Sequence, residues 1–257
     1  MRMYEVGGCV RDEILDVPTK DIDFTVVLED KDFFPNALDQ RSGSLNPFGI
    51  MVTNLKDRGF KVFLETPEYL TVRAKFPKGD KYGHLTADFV LARKEGEYAD
   101  GRRPDMVTPG TLMDDLARRD FTMNAIAKEV DERGYVHYID PFDGEKDIAD
   151  KVIRAVGDPY DRLTEDALRA VRAMRFSVTK GFVIEASLER AMENWNVVDA
   201  VKDNISDERI AVEVQKMFRF DTIKSLNVLS KYPRLTEAMF AGKVNLDATL
   251  RQKGFGA

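Results

Sequence analysis

Short apolar runs separated by polar turns fill the first half of the chain. Five of these runs show the residue types and the alternation that are typical of half-buried strands. The predicted strands are Met3–Val6, Asp21–Leu28, Lys61–Leu64, Tyr69–Phe76 and Thr86–Ala92. The last three are joined by short connections, so we expect them to run antiparallel.

Helices are predicted in both halves, and apolar residues at helical spacing mark the last four of them. The predicted helices are Val10–Leu15, Gly49–Arg58, Leu112–Lys128, Leu163–Phe176, Ser187–Asn194, Asp207–Phe218 and Thr222–Tyr232. Asp161 or Thr164 is expected to cap the helix that starts at Leu163, and Ser206 the helix that starts at Asp207. Polar composition predicts loops at Asp39–Gly49 and Glu95–Thr111.

One more strand is predicted at Tyr135–Ile139, followed by a turn-rich connector and then by helices alone. The pattern therefore predicts an α+β fold with a domain boundary between Asp140 and Val156. We expect residues 1–145 to form a mixed, largely antiparallel sheet with flanking helices. Residues 146–257 are expected to form an all-helical domain.

Composition narrows the class of protein. The chain has 257 residues, 33% of them charged and 43% hydrophobic, as in a soluble globular protein. It has no apolar run of about 18 residues and no signal-peptide pattern, so we expect no membrane span and a cytoplasmic location. The single cysteine, Cys9, excludes an intrachain disulfide and suits a reducing compartment. Beside only two histidines, it also argues against a zinc site.

The net charge of −6 argues against a general nucleic-acid binder, but the charge is unevenly distributed. Between residues 151 and 180, seven basic residues face four acidic ones. Because this stretch is predicted to be helical, it could present a basic stripe.

Asp21 and Asp23 lie one residue apart in a predicted strand, behind Gly7, Gly8 and Arg11. Alternate residues of a strand point the same way, so the two carboxylates repel unless a cation lies between them. Mg²⁺ takes carboxylate and phosphate oxygens, and glycines before a helix let the backbone approach a phosphate. This arrangement indicates a nucleoside triphosphate with its metal. The alternative is a solvated turn.

Asp88 is a candidate third carboxylate. It lies among apolar residues of the strand Thr86–Ala92, where an unpaired Asp is costly. It could complete a two-metal cluster with Asp21 and Asp23. The alternative is an Asp at a strand end with a local hydrogen bond.

Arg118 and Arg119 precede Asp120, and Asn124 follows four residues later. On a helix Asp120 and Asn124 would share a face and could hold ribose hydroxyls. The arginines could bind phosphates or stack on a base. The alternative is a cluster of salt bridges at a helix N-terminus.

Asp166 and Arg169 are three residues apart in a predicted helix, so an intrahelical ion pair is the simpler interpretation. The pair also has the right chemistry to select bases. Cytosine and adenine each show an amino donor beside a ring-nitrogen acceptor, which an Asp acceptor and an Arg donor match. Uracil and guanine present the reverse pattern and would leave buried partners unpaired.

Five motifs stand in a fixed order: GGCVRD with DIDF, RRDFTMNA, PFDGEKDI, EDALR and SDERIAVEVQKMF. In this order they resemble the class II tRNA nucleotidyltransferase (CCA-adding enzyme) and bacterial poly(A) polymerase family, of the polymerase-β-type superfamily. The resemblance implies a nucleotidyltransferase head followed by a helical neck and a short body.

The resemblance also implies an activity and roles for residues. The activity is addition of C and A to the 3′ end of tRNA from CTP and ATP with Mg²⁺. The implied metal ligands are Asp21 and Asp23, with Asp88 as the candidate third ligand, and Gly7, Gly8 and Arg11 are implied to bind the triphosphate. The implied ribose-selecting motif contains Arg118, Arg119, Asp120 and Asn124. In the EDALR motif, Glu165 is implied to orient Arg169, and the base is read by Asp166 together with Arg169. Arg172 is implied to stack on the nucleotide or to hold phosphate. Asp143, Gly144 and Asp147 match a connector, and Glu208, Arg209 and Glu213 match a neck motif to which we assign no chemistry.

Alternatives to CCA addition remain open. Within the enzyme class they are an A-only or CC-only adding enzyme, a poly(A) polymerase, or transfer to a protein or small molecule. Another class is an RNA-end-binding module without catalysis, against which the repelling Asp21 and Asp23 argue. Family members are longer, so we expect this chain to hold RNA by forming a homodimer, through its basic neck, or by using a smaller RNA end.

Overall fold

The structure is a computed structural model that describes residues 1–19, 21–33, 46–80, 82–95, 107–130 and 133–241. Packing divides these residues into two units. The first unit takes in the described residues of 1–95, 107–119 and 123–145, and the second those of 120–122 and 146–241. No helix in these ranges combines the length and the apolar character needed to cross a bilayer.

A seven-stranded sheet forms the first unit. Its strands, together with a separate pair, are β1 (Arg2–Val6), β2 (Ile22–Val27), β3 (Lys61–Thr66), β4 (Thr71–Lys75), β5 (Thr86–Leu91), β6 (Arg93–Glu95), β7 (Val107–Pro109), β8 (Ala127–Val130) and β9 (Val136–Ile139). The order in the large sheet is β3-β4-β5-β2-β1-β8-β9, with β6 and β7 paired apart. Neighbours in the large sheet are antiparallel except β2 and β5, which are parallel. The expectation of a largely antiparallel mixed sheet is confirmed.

The helices of this unit are α1 (Gly8–Ile14), α2 (Asp30–Phe33), α3 (Pro47–Asp57) and α4 (Leu112–Ala117). A further helix, α5 (Gly144–Ala149), crosses the division between the units and replaces part of the predicted turn-rich connector. The predicted loop at Asp39–Gly49 lies outside the described residues except for its end, where α3 has already begun. Of the predicted loop Glu95–Thr111, residues 96–106 lie outside the described ranges, and Val107–Pro109 is a strand.

The alternation of β2 and β5 separates core from site. Phe24 and Phe89 are adjacent in register and stack at 5.0 Å between ring centroids, with Phe60 and Phe76 packed around them. Because successive side chains of a strand point to opposite faces, Asp23 and Asp88 lie on the face away from this aromatic cluster. The apolar core thus fixes which face carries the carboxylates.

The predicted helix Leu112–Lys128 is wrong beyond Ala117. Thr111 caps α4 in a capping box with Asp114, and the helix ends after one and a half turns. Met123, Ala125, Ile126 and Ala127 are fully buried, so their apolar spacing reflects burial on all sides. A run buried all round has no helical period to read. The segment contains a 3₁₀ turn at Thr122–Asn124 and then strand β8.

The second unit is mainly helical. Its helices are α6 (Pro159–Glu165), α7 (Leu168–Lys180), α8 (Ala186–Met192), α9 (Trp195–Asn204), α10 (Asp207–Phe220), α11 (Thr222–Lys231) and α12 (Pro233–Phe240). It also holds a parallel pair of short strands, β10 (Val152–Ile153) and β11 (Val183–Ile184), so the expectation of an all-helical domain was too simple. Helices α9 and α12 were not predicted.

The predicted continuous helix Leu163–Phe176 is two helices that meet at Asp166. This residue is extended (φ −149°, ψ 99°), its Oδ1 accepts a hydrogen bond from the Leu168 amide at 3.2 Å, and its carbonyl accepts from the Arg169 amide at 3.0 Å. Asp side chains compete with the helix ladder in this way. The cap of α6 is Asp158, neither Asp161 nor Thr164.

Candidate active site

Carboxylates from two neighbouring inner strands of the large sheet line a cleft in the first unit. Asp21 immediately precedes β2, and Asp23 within β2 is paired in register with Asp88 of β5. The cleft has a volume of about 370 Å³. It is lined by Asp21, Ile22, Asp23, Arg73, Thr86, Ala87 and Asp88. The structure therefore brings the three predicted carboxylates together.

Asp23 is the strained member of this group. Burial raises its pKa, the Asp88 and Asp21 charges raise it further, and Arg119 offsets part of the effect. A raised carboxylate pKa means that negative charge is disfavoured here. A bound cation would relieve this, so the group has the chemistry to hold a divalent metal.

No set of three or more His, Cys, Asp and Glu side chains in the described residues is arranged to enclose a metal ion by itself. The assignment of Asp21 and Asp23 as Mg²⁺ ligands stays a prediction.

Asp88 has another partner. Its Oδ1 and Oδ2 accept hydrogen bonds from Nε and Nη2 of Arg73, both at 2.6 Å, in a bidentate pair across β4 and β5. A metal ion would have to compete with this guanidinium for the same oxygens. The role of Asp88 as a third metal ligand stays a prediction.

Gly7 connects β1 to α1 where only glycine fits. Its φ is +77°, and a Cβ placed there would lie 2.9 Å from Nη1 of Arg119. Asp23 Oδ2 is the next atom, at 4.0 Å. The glycine turn thus runs directly against one arginine and one catalytic candidate. The predicted contact of Gly7 and Gly8 with a triphosphate stays a prediction.

Arg11 is buried under this turn. Its Nη1 donates to Oδ1 of Asn124 at 2.6 Å, and Nη2 pairs with Asp12 at 2.8 Å. Arg11 therefore ties the glycine turn to the segment before β8. The contact of Arg11 with a triphosphate, which the motif implies, stays a prediction.

Asp115 was missed in the sequence analysis, although it organises this side of the site. It is fully buried, and its carboxylate accepts from Thr25 Oγ1 at 2.7 Å, from Arg119 Nη2 at 2.8 Å and from Arg118. Burial acts to raise its pKa, but the two guanidiniums outweigh burial and hold the pKa well below its usual range. The signal was present: Asp115 stands three and four residues before the two arginines, which is helical pairing distance.

Asp120 and Asn124 do not share a helix face as predicted. Asp120 belongs to the second unit, where Oδ2 accepts from Nε and Nη2 of Arg172 at 2.8 and 2.7 Å and Oδ1 accepts from the Phe121 amide. Asn124 belongs to the first unit and bonds Arg11. The cause is the early end of α4, which removes the helical spacing. Their ribose-binding role stays a prediction.

In the second unit, the EDALR segment spans the break between α6 and α7. Glu165 pairs with Arg169 at 2.8 Å and with Arg162 at 2.6 Å, so Arg169 is fixed by the glutamate. Asp166 pairs instead with Arg209 of α10 at 2.8 Å. The simple interpretation of an Asp166–Arg169 intrahelical ion pair is therefore wrong. Each residue has an ion-pair partner of its own.

The neck motif, to which we assigned no chemistry, supplies one of these ion-pair partners, Arg209. Arg209 fixes Asp166, and Glu213, one turn further along α10, pairs with Arg175 and lies 3.9 Å from Arg172. Arg175 also lies over the Phe176 ring, 3.7 Å from its centroid. The spacing of Arg209 and Glu213 places both on one face of α10 and could have indicated this role.

Residues 3–154 match the family model of the poly A polymerase head domain. The chain belongs to this family. The family resemblance read from the motifs is confirmed. Among curated relatives of this family member, a CCA-adding enzyme of Pediococcus pentosaceus is 38% identical over 216 residues, which are 83% of this chain and 46% of that protein. The chain thus spans less than half the length of that relative.

Solved structures agree with the family assignment. A tRNA nucleotidyltransferase complexed with a primer tRNA and an incoming ATP analog is 29% identical, with a TM-score of 0.70 over 94% of this chain and 60% of that one. The Bacillus stearothermophilus CCA-adding enzyme in complex with CTP is 30% identical, with a TM-score of 0.65 over 89% and 47%. The α+β fold class of the family member is confirmed.

Proposed function

We propose that the chain is a nucleotidyltransferase that adds C and A to the 3′ end of tRNA from CTP and ATP, without a template, and releases pyrophosphate. The observation that carries this proposal is the carboxylate cleft, where Asp21, Asp23 and Asp88 meet beside the glycine turn. Similarity to a CCA-adding enzyme and to nucleotidyltransferase structures with primer tRNA, an ATP analog and CTP supports it.

Asp21 and Asp23 would hold Mg²⁺ in this cleft. When bound, the metal would make the RNA 3′-hydroxyl a better nucleophile and neutralise the charge of the leaving pyrophosphate. Asp115 holds Arg119 against Gly7, so the glycine turn keeps its shape and a guanidinium stays beside the carboxylates. Gly7, Gly8 and Arg11 would receive the triphosphate, and Arg118, Arg119, Asp120 and Asn124 the ribose and phosphates.

The second unit would select the base. Arg169, fixed by Glu165, would donate to the ring nitrogen of cytosine or adenine, and Asp166, fixed by Arg209, would accept from the amino group. Arg172 would support the incoming nucleotide by stacking or by phosphate contact. In this proposal residues 1–145 are the catalytic head and residues 146–257 the neck and part of the body. The homodimer and the cytoplasmic location stay predictions.

The deciding experiment offers the protein a tRNA that lacks its 3′ CCA, with Mg²⁺ and each triphosphate singly and together, and sizes the products. Addition of three nucleotides with CTP and ATP together supports the proposal. A ladder with ATP alone would favour a poly(A) polymerase, and addition limited to A or to CC would favour those narrower enzymes. No extension with any triphosphate would contradict the enzyme proposal for tRNA.

Asp166→Ala is expected to relax base choice while incorporation continues. The variant removes the acceptor for the amino group. UTP and GTP then no longer leave this carboxylate without a donor from the base, which is the cost that excludes them in the wild type. Discrimination of CTP over UTP, measured as the ratio of kcat/KM, should fall by about 10-fold or more, since one buried hydrogen-bond mismatch is worth about 1–3 kcal/mol.

The matched control for Asp166→Ala is Asp161→Ala, which removes an exposed carboxylate from the same region of α6 and should leave discrimination unchanged. If Asp166→Ala slows all four nucleotides equally, Asp166 serves only to tie α10 through Arg209. The base-reading role would then be wrong.

A further inference from the structure

The catalytic carboxylates lie between two different flanks of the sheet. The strand order β4-β5-β2-β1 places β2, with Asp23, between β1 and β5. On the β1 side is the glycine flank, the turn at Gly7 and Gly8 that follows β1. On the β5 side is the arginine flank, the Arg73–Asp88 pair of β4 and β5. The proposed reaction brings two anionic substrates to β2, and the proposed function assigns the glycine flank to one of them, the triphosphate.

The guanidinium of Arg73 is placed so that it can bind an anionic ligand. Its side chain is 49% exposed, it lines the carboxylate cleft, and two of its three guanidinium nitrogens are held by Asp88 at 2.6 Å. Nη1 makes no hydrogen bond to any residue in the described ranges. A guanidinium has five N–H donors, and a bidentate carboxylate uses two of them, so donors remain for a second anion. Asp88 thereby fixes the plane of the guanidinium but does not use all of its hydrogen-bond donors.

The arginine flank also meets an electrostatic need. An RNA 3′ end carries a phosphodiester next to its terminal nucleotide, and it must approach the carboxylates of Asp21 and Asp23. The phosphodiester and these carboxylates repel each other at the short distances of the cleft, so a cation beside the path of the RNA favours its approach. Arg73 is the basic residue that lines the cleft in the described part of the chain.

We propose that Arg73, oriented by Asp88, binds the phosphodiester adjoining the 3′-terminal nucleotide of the RNA primer. Asp88 is then a positioning residue for Arg73. The inference rests on the proposed function and adds to it a subsite for the RNA on the arginine flank, across β2 from the triphosphate.

The competing explanation is a cross-strand ion pair with no ligand. Arg73 and Asp88 are direct partners in the β4–β5 register, where opposite charges contribute modestly to sheet stability. Such a pair would affect folding and both substrates alike. A phosphate anchor would affect the RNA alone.

The test is steady-state kinetics of Arg73→Ala and Arg73→Lys with a tRNA lacking its CCA end. For Arg73→Ala the KM for RNA should rise about 10-fold, while the KM for CTP and kcat change by less than about twofold. Arg73→Lys keeps the charge and should recover part of the loss. Arg2→Ala is the matched control, because it removes a comparably exposed arginine that pairs with Glu29 away from the cleft; it should leave the KM for RNA unchanged.

Two further readouts separate the outcomes. Binding of labelled tRNA without nucleotide should become less salt-dependent in Arg73→Ala, by about one counterion in the slope of log K against log salt. Asp88→Asn should raise the KM for RNA about threefold and keep the rise in melting temperature that Mg²⁺ produces. An unchanged KM for RNA and salt slope in Arg73→Ala, with an active wild type, would overturn the subsite.

If Asp88→Asn instead abolishes the Mg²⁺ effect on melting temperature and leaves the KM for RNA unchanged, Asp88 is a metal ligand and its positioning role is wrong. A wild type that extends no RNA would contradict the proposed function and the subsite with it. The two failures are therefore distinguishable by the activity of the wild type.

Discussion

Asp23→Asn is expected to abolish nucleotide incorporation and, at the same time, to raise the melting temperature of the metal-free protein. Burial and the carboxylates of Asp88 and Asp21 raise the pKa of Asp23, so its charge destabilises the folded state when no cation is bound. Asn keeps the shape and removes the charge. For a chain of this size each kcal/mol recovered raises the melting temperature by about 2–4 °C.

The pH dependence has a defined sign. A carboxyl group whose pKa is raised on folding binds its proton more tightly in the folded state, so this group lowers stability as pH rises above about 4, its unfolded value. The stability gain of Asp23→Asn should therefore be small at pH 4 and grow toward neutral pH. Scanning calorimetry of both proteins in EDTA across this range measures it.

Asp21→Asn is the comparison for Asp23→Asn. Asp21 is exposed, so its charge is solvated and its removal should raise the melting temperature less, while incorporation is lost all the same. Added Mg²⁺ should stabilise the wild type and neither variant, because binding to the folded state alone raises its stability. A melting temperature for Asp23→Asn at or below that of the wild type at pH 7 would show that Asp23 is not under strain.

The local part of the site could be predicted from the sequence. Asp21, Asp23 and Phe24 follow the period of two of a strand, so the orientation of the carboxylates away from the core follows from neighbours in the chain. Gly7 likewise indicates its own backbone conformation. These features depend on a few consecutive residues, which is why the pattern reveals them.

The non-local part could not be predicted in this way. The parallel pairing of β2 with β5 sets Asp88 beside Asp23 and leaves no mark in local spacing. The antiparallel arrangement of β4 and β5 was expected from their short connection and is confirmed, but the register that pairs Arg73 with Asp88 was not predicted. The prediction of one continuous helix through Asp166 failed for a different reason. The Asp166 side chain accepts a hydrogen bond from the nearby backbone, and this overrides an otherwise helical period.

The buried ion cluster around Asp115 illustrates how stability and function are joined in the first unit. One carboxylate orients Arg118 and Arg119, and Arg119 lies against the glycine turn and lowers the charge strain at Asp23. A change at Asp115 therefore reaches the site through Arg119. Its effect on folding should be larger than that of any exposed charge.

Asp115→Ala is expected to destabilise the protein by about 3–5 kcal/mol at neutral pH, because it leaves two arginines beside a buried site without their anion. The melting temperature should fall by roughly 6–20 °C at about 2–4 °C per kcal/mol. Incorporation by the folded fraction should also decrease, with a higher KM for CTP, since Arg119 is released from its place beneath Gly7. Urea unfolding and steady-state kinetics measure the two effects separately.

The loss caused by Asp115→Ala should depend on pH in the direction opposite to that of Asp23→Asn. The arginines hold the pKa of Asp115 well below its usual range, so its contribution is fully present above about pH 4 and is lost as pH falls toward the lowered folded value. The difference between wild type and Asp115→Ala should thus narrow in acid.

Asp114→Ala is the matched control for Asp115→Ala. It removes the neighbouring carboxylate, which closes the capping box of α4, and should cost only about 1 kcal/mol. Equal losses for the two variants at pH 7 would mean that the cluster serves α4 alone. A larger loss at Asp115 together with an unchanged KM for CTP would confine the cluster to folding, and only both effects together would show that the same carboxylate holds the site in shape.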